Sequence, residues 1–398
     1  MTHRPAHLRA RIVTAVLSAG IAATACTTAE TSPTPTPECL VNSDLPFVAA
    51  VGARANNPAP EMPAEVNTLI DRTGRAGEKI TLIRADGKPE VSFARAFTTT
   101  AKNSVATDKD FRRFVGDLGQ AFAEASKAKT AEADPLTALT LAGRSTPHGG
   151  NVVLLDSGLQ TVAPLRFQDD DGALLNADPK EVVEHLRALE LLPDLEGRNV
   201  MLVGLGNVVA PQEPLDQRLH QRVIDIWSEI AEAGGAACVE VVDTPADVAK
   251  PVPGVPAVTP VPVPEPPPAP RPCGETVLND RNDVGFRPDE DVFVDEGAAR
   301  KTIGQVADVM RDGRQRAELI GTTANVGGYD GQVALSKRRA AAVQRVLVDL
   351  GIAEGRLTTT GQGSRFDGYQ QDHGPGGELL PGPAANNRKV IVRLVCTD

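Results

Sequence analysis

The sequence has few aromatic residues and few of the side chains that bind metals. Aromatic residues make up 3% of the 398 residues, which argues against a surface that stacks on sugars or nucleobases. There are six histidines, and the five cysteines include no Cys-x-x-Cys pair. Because zinc sites are built from such clusters, we predict no metal and no cofactor.

Positive charge and long apolar runs are also scarce. A net charge of −11 leaves no basic excess to neutralise phosphates, so the sequence predicts no nucleic-acid partner. The apolar run at residues 12–25 is rich in alanine and too short to span a membrane as a helix. A hydrophobic content of 41% is nevertheless enough to form the cores of two domains.

Residues 1–25 have the pattern of an export signal. Three arginines precede the apolar run, which ends in Ala-Thr-Ala-Cys. This ending resembles a bacterial lipobox, so we predict a lipoprotein that carries palmitate on Cys26 and is held at a membrane by it. A secretory signal cleaved near Ala25 is the alternative. Residues 26–38, rich in Thr and Pro, are expected to form a disordered tether.

Four cysteines remain when the lipidated Cys26 is set aside. An even number in an oxidising compartment predicts disulfide bonds, and four cysteines allow three pairings. Pairing Cys39 with Cys238 and Cys273 with Cys396 would close each of two folded regions at its ends. Free buried thiols are the alternative.

Residues 39–243 alternate aliphatic strands with amphipathic helices. Strands are expected at residues 47–52, 80–84, 152–155, 199–203 and 238–242, and helices at 108–129, 179–189 and 215–233. Continuous aliphatic strands separated by helices are typical of an α/β domain. We predict a Rossmann-like, mostly parallel, doubly wound sheet with both faces covered.

Loops beyond the carboxyl ends of such strands are where ligands collect. Three of them carry polar or glycine residues: Asn56 and Asn57, residues 156–158, and residues 204–207. The first two glycines of a dinucleotide fingerprint are present at 204 and 206 without the third, and the Asp-Ser-Gly-Leu-Gln sequence lacks the hydroxyls of a von Willebrand A-type metal site. We interpret these loops as turns.

Catalytic constellations are absent from the sequence. His148, His185 and His220 have no nearby Ser or Cys in an activating motif, and the acidic run at residues 169–171 is too short for a calcium loop. We therefore predict no enzymatic activity. The alternative keeps this domain as an enzyme or receptor, for an unidentified protein or small molecule, with a site at Asp156, Gly204 and Asn207.

A proline-rich segment at residues 244–272 separates the two halves of the chain. Proline at this density favours an extended polyproline II conformation. At about 3.1 Å per residue such a segment would reach on the order of 60 to 90 Å. We therefore predict a linker that acts as a spacer.

The C-terminal part combines strands and helices in a second α/β pattern. Strands are expected at residues 276–278, 292–294, 317–320, 356–360 and 389–395, with helices at 298–310 and 332–350 and a loop at 364–386. In the second helix, Arg339 lies in the middle of an apolar sector that includes Leu335, Val343 and Leu347. A guanidinium there needs an anionic partner or a wet pocket, so it forms either an internal ion pair or a site for an external acid.

The segment at residues 321–340, GTTANVGGYDGQVALSKRRA, resembles the signature of the OmpA-like peptidoglycan-binding domain, roughly GHTDxxGxxxYNxxLSxxRAxxV. The matching residues are Gly321, Thr323, Gly327, Leu335, Ser336, Arg339, Ala340 and Val343. Further matches at residues 351–352 and 387–390 extend the resemblance over residues 273–398. The resemblance implies a mixed sheet backed by helices and a peptidoglycan ligand.

In that family the signature aspartate and arginine clamp the diaminopimelate of the stem peptide. The arginine corresponds to Arg339, which can hold a carboxylate in bidentate fashion. The position of the aspartate is occupied by Ala324. Either another acid such as Asp330 replaces it, or binding is weaker, or the ligand differs.

The resemblance implies a specific set of peptidoglycan-binding residues, Thr322, Thr323, Asn325, Gln332, Arg339, Asn387 and Arg388. We therefore predict an extracytoplasmic protein, lipid-anchored to the cell membrane or outer membrane, that associates with the cell wall through its C-terminal domain. One alternative retains this fold with wall binding lost, because half of the clamp is missing.

Overall fold

The structure, a computed structural model, describes Cys39 and residues 44–52, 54–243 and 251–396. The export signal, the lipidation residue Cys26, and the tether at residues 26–38 lie outside the described residues. So does the first part of the proline-rich segment, residues 244–250.

Six strands form the first sheet: β1 (Phe47–Gly52), β2 (Lys79–Ala85), β3 (Glu90–Ala96), β4 (Asn151–Leu155), β5 (Asn199–Val203) and β6 (Cys238–Val242). Their order is β3-β2-β1-β4-β5-β6, and all neighbours are parallel except β2 and β3. The predicted mostly parallel sheet is confirmed. The antiparallel edge strand β3 was not predicted, because it is exposed along most of its length and carries no apolar run.

Five helices cover this sheet: α1 (Ala64–Arg75), α2 (Ser104–Ala125), α3 (Pro135–Ser145), α4 (Pro179–Ala188) and α5 (Gln217–Ala233). One core contains side chains of α1 and α2, and a second core, on the other face, contains side chains of α3, α4 and α5. The expectation that both faces are covered is therefore met. Within α2, Phe111 and Leu118 are buried, whereas Val115 is exposed.

The second sheet has four strands and three associated helices. They are β7 (Glu275–Leu278), α6 (Glu296–Met310), β8 (Gln315–Gly321), α7 (Tyr329–Asp349), β9 (Leu357–Gly361), α8 (Pro381–Asn387) and β10 (Val390–Cys396). The strand order is β7-β10-β8-β9, with β10 antiparallel to both neighbours and β8 parallel to β9. Residues 292–294 form no strand, although Phe293 makes an isolated bridge with Phe286. The short helix α8 lies in the predicted loop.

The four cysteines of the described chain form two disulfide bonds, one in each half. Cys39 pairs with Cys238 at a Cα–Cα distance of 5.7 Å, and Cys273 pairs with Cys396 at 5.2 Å. Of the three pairings that the sequence allowed, the structure has the one that closes each domain at its ends.

The described part of the proline-rich segment does not project from the protein. Val258 and Val261 are buried, and the amide side chain of Gln212 exchanges two hydrogen bonds with the backbone of Val261, at 2.7 and 2.8 Å. Thr259 also donates to the carboxylate of Glu132 at 2.8 Å. The spacer predicted from proline content is corrected to a strap, because the valines between the prolines supply apolar surface that packs on the first domain.

The described residues of both halves belong to one compact unit. Residues 173–176 pack against α8, where a Cβ atom on Gly382 would lie 3.2 Å from the Cβ atom of Ala173. The ring Nδ1 of His185, in α4, lies 2.9 Å from the carbonyl oxygen of Leu379. None of the helices formed by the described residues has the length and apolar character needed to cross a membrane.

Candidate functional site

Glycines at the ends of β8 and β9 bring helix α7 directly onto the second sheet. A Cβ atom on Gly321 would lie 1.9 Å from the carbonyl oxygen of Ser336, and one on Gly361 would lie 2.3 Å from that of Val333. Any side chain at these two positions would therefore push the helix away. The close approach fixes the middle of α7, which carries Arg339, beside the loop that follows β8.

Arg339 is 4% exposed and makes no ion pair within the described chain. Its Nε donates to the carbonyl oxygen of Glu290 at 2.9 Å, and its Nη2 donates to that of Arg287 at 3.1 Å. Its guanidinium carbon lies 5.3 Å from the ring centre of Phe286. Two carbonyl groups and a ring therefore hold the guanidinium, and the internal ion pair weighed from the sequence is not observed.

A cavity of about 570 Å³ opens beside Arg339, between the first and second domains. The first domain contributes Asn176, Asp178, Glu181 and Arg222 to its lining, and the second contributes Asp280, Phe286, Asp289, Thr323, Ala324, Gln332, Arg338, Arg339 and Arg388 among others. With Arg287 included, the lining contains four carboxylates and five arginines. The cavity is therefore suited to a ligand that carries both a negative and a positive charge.

Burial changes the protonation equilibria of the groups in this cavity. Burial, together with the neighbouring charge of Arg388, lowers the pKa of Arg339 to about 10, so the guanidinium stays charged at neutral pH. Burial raises the pKa of Asp280 despite four nearby arginines, and it raises the pKa of Glu181 despite the contact with Arg388. The cavity thus holds incompletely compensated charges of both signs.

Of the predicted site residues, four line the cavity: Thr323, Gln332, Arg339 and Arg388. Gln332 is engaged in the protein, since its Nε2 donates to Asn325 Oδ1 at 3.0 Å and its Oε1 accepts from the backbone of Ser364. Thr323 is buried, and its hydroxyl has no hydrogen-bond partner among the described residues.

The other three predicted residues, Thr322, Asn325 and Asn387, lie outside the cavity lining. The hydroxyl of Thr322 donates to the carbonyl oxygen of Asn387 at 2.6 Å, and both residues are fully buried. The structure therefore gives them a place in the framework behind the cavity. Asp330, the acid considered as a replacement for the family aspartate, is exposed and is also absent from the lining.

Asp372 organises this framework, although its sequence context gave no signal for it. Its carboxylate accepts from the Tyr369 hydroxyl at 2.5 Å, from the Asn325 backbone at 2.8 Å and from Asn387 Nδ2 at 3.0 Å, and it lies 2.9 Å from His373 Nδ1. Burial by itself would raise the pKa of Asp372, but these hydrogen bonds hold it below its usual value. The carboxylate thus ties the long loop to the end of β8.

Arg388 is paired across the domain boundary. Its Nη1 donates to Glu181 Oε2 at 2.9 Å, and its Nη2 contacts the other carboxylate oxygen. Sequence analysis could not find Glu181, because a proline-rich spacer predicted that the two domains would be apart.

Strands β1 and β4 are neighbours in the first sheet, and the strand order reverses between them. The residues that follow the carboxyl ends of these two strands contact each other. Arg54, which is fully buried, contacts both carboxylate oxygens of Asp156, at 2.6 and 2.7 Å. The Asp156 carboxylate also accepts from the backbone of Gly158 at 2.8 Å, and Trp227 Nε1 donates to the Gly158 carbonyl. Of the residues considered as an alternative site, Asp156 therefore has both carboxylate oxygens engaged within the protein.

No group of three or more His, Cys, Asp or Glu side chains with metal-binding geometry occurs in the part of the chain that the structure describes. The acidic run at residues 169–171 forms a short 3-10 turn with exposed carboxylates.

Comparisons with known proteins agree with this description of the C-terminal domain. Residues 286–376 match the model of the OmpA family, so this part of the chain is an OmpA-like domain. Comparison with curated sequences finds no match.

Several solved structures show limited similarity. The periplasmic domain of Helicobacter pylori MotB is 16% identical, with 31% of this chain and 76% of that chain covered and a TM-score of 0.26. The peptidoglycan-associated lipoprotein from Burkholderia pseudomallei is 18% identical, with 30% and 88% covered and a TM-score of 0.24. The cell wall anchor of the T6SS from Pseudomonas aeruginosa is 20% identical, with 31% and 81% covered and a TM-score of 0.24.

Proposed function

We propose that this chain is a cell-envelope protein whose OmpA-like domain binds the peptidoglycan stem peptide non-covalently. The observation that carries the proposal is the environment of Arg339. Its guanidinium is buried, retains its charge, is held by two backbone carbonyls, borders a cavity and contacts no carboxylate of the residues that the structure describes. A ligand carboxylate entering the cavity would complete its coordination.

A pull-down on purified peptidoglycan tests this proposal. We expect the exported chain, residues 26–398, to sediment with the wall and Arg339→Ala to lose most of that retention. Arg345→Ala is the matched control, since Arg345 lies on the same helix, is exposed and pairs with Asp291. Equal retention of all three proteins, or retention of none, would contradict the proposal.

The proposal includes a lipid on Cys26 that holds the protein at a membrane, so that the molecule links membrane and wall. The sequence Ala-Thr-Ala-Cys supports this part. Metabolic labelling with an alkyne analogue of palmitate should mark the wild-type protein but not Cys26→Ser. Label on the serine variant would rule out this anchoring site.

In the same proposal the first domain acts without catalysis. The contacts of Asp156 support this view, because Arg54 and the backbone of Gly158 occupy both oxygens of its carboxylate. The interface with the second domain suggests that the first domain instead shapes access to the cavity.

A further inference from the structure

The cavity beside Arg339 has one wall that belongs to the first domain. On the second domain's side, Arg339 Nη1 has no hydrogen-bond partner among the described residues, and neither has the buried hydroxyl of Thr323. Both side chains are more than nine-tenths buried and line the cavity. Buried polar groups are normally hydrogen-bonded, so the unpaired hydroxyl of Thr323, which lines the same cavity as Arg339, points to a ligand at this place.

The first domain's wall offers a carboxylate, that of Asp178, that is not held in an ion pair. Of the other carboxylates in the lining, Glu181 is bound to Arg388, arginines surround Asp280, and Asp289 acts on the charge of Arg339 itself. Asp178 makes no ion pair within the described part of the chain, and one of its oxygens accepts from the backbone of Lys180 at 2.9 Å. An uncompensated anion beside a cavity attracts a positively charged group.

We propose that the first domain completes the peptide site, with Asp178 receiving the ammonium group of the same ligand whose carboxylate Arg339 holds. This inference rests on the proposed function and assigns Asp178 as a specificity-determining residue. It also explains how a site that has Ala324 in its lining can recognise an amino group, since the acid comes from the other domain.

Contacts between the domains keep Asp178 in position. Asp178 precedes the first turn of α4, and three positions further along this helix Glu181 is fixed by Arg388. On the same helix, His185 contacts the carbonyl oxygen of Leu379 in the second domain. Two attachments along one helix hold its N-terminal end at the cavity.

Two synthetic peptides test the inference on the full exported chain. The first is the stem tripeptide ending in diaminopimelate with its amino group free, and the second has that amino group acetylated. We expect the wild type to bind the free amine about tenfold more tightly, the scale of one hydrogen bond to a charged group. Asp178→Asn should bind the two peptides almost equally, while Asn still caps the helix.

Glu184→Gln is the matched control, because Glu184 lies on the same helix, is exposed and pairs with Arg187. It should keep the tenfold preference. A wild type that binds both peptides equally, or an Asp178→Asn variant that keeps the preference, overturns the inference even when Arg339→Ala abolishes binding. If the wild type binds neither peptide, the proposed function itself fails.

Discussion

The two domains each bury an arginine, and the two arginines differ in what surrounds them. Arg54 contacts both oxygens of Asp156, the carbonyl oxygen of Ala85 and the amide oxygen of Asn57. Arg339 contacts two carbonyl oxygens and no carboxylate within the described chain, and a cavity lies beside it. The charge of Arg54 is therefore compensated by a carboxylate of the protein, whereas the charge of Arg339 is not in contact with one among the described residues.

In our proposal this difference separates a structural arginine, Arg54, from a ligand-binding one, Arg339. Burying a charge is costly unless a partner compensates it, so a fold that relies on an arginine supplies the carboxylate itself. Arg54 receives Asp156 from the neighbouring strand β4, at the place where a doubly wound sheet would otherwise hold a ligand. No carboxylate among the described residues contacts Arg339, which is the arrangement expected when the acid belongs to a ligand.

The largest effect should follow from breaking the compensated pair. Asp156→Ala leaves the Arg54 guanidinium buried without its counter-charge, so we expect the free energy of unfolding to fall by about 3–5 kcal/mol. Urea denaturation measures this change. The comparison is wrong if the loss is below about 1 kcal/mol.

A double variant provides the control. Arg54→Met combined with Asp156→Leu removes both charges and should recover a large part of the loss, since apolar residues of similar size can replace a buried ion pair. If the double variant is as unstable as Asp156→Ala alone, the cost comes from lost packing.

Much of the first sheet could be predicted from sequence, because its parallel strands are buried on both faces and appear as aliphatic runs. The predicted bounds of residues 47–52, 199–203 and 238–242 coincide with β1, β5 and β6. Strand β3 was missed, since it is an exposed edge with no such run. Helices α1 and α3 were also missed, and no apolar pattern was read for them.

The position of Arg339 in the candidate site could also be predicted, because one charged residue stands out in an apolar helix face. The acidic residues that the first domain contributes to the cavity could not be predicted from the sequence. Asp178 and Glu181 come from another domain, which local patterns placed apart because they interpret the proline-rich strap as a free spacer. Pairwise contacts across a domain boundary leave no periodic signal.

A smaller effect is expected at the framework behind the cavity. Asp372→Asn removes a buried carboxylate that accepts several hydrogen bonds, so we expect a loss of about 1.5–3 kcal/mol at neutral pH. The folded-state pKa of Asp372 is lowered, so its contribution is present above the unfolded value of about 3.9 and is lost as the pH falls through the folded value.

The pH dependence can be read from thermal melts of the wild type and Asp372→Asn between pH 7 and pH 3. The difference in Tm should shrink as the pH falls below about 4. A difference that stays constant over this range would mean that the asparagine disturbs packing and that charge plays no part.

Removing the uncompensated arginine should cost less stability than breaking the compensated pair. Arg339→Ala loses two hydrogen bonds to carbonyl groups and one of the four arginine charges near Asp280, so we expect a loss of about 1–2 kcal/mol in urea denaturation. A loss as large as that of Asp156→Ala would indicate that Arg339 is a structural residue like Arg54, and it would remove the basis of the comparison.

The smallest effect should come from the ion pair between the domains. The side chains of Arg388 and Glu181 are 22% and 23% exposed, so solvent and salt partly screen their interaction. A double-mutant cycle with Arg388→Met and Glu181→Gln should give a coupling energy of about 1 kcal/mol that decreases as salt is raised. The exposed pair of Glu184 and Arg187 on the same helix should show weaker coupling. Equal coupling in the two pairs would mean that Glu181 contributes no more to domain docking than a surface charge does.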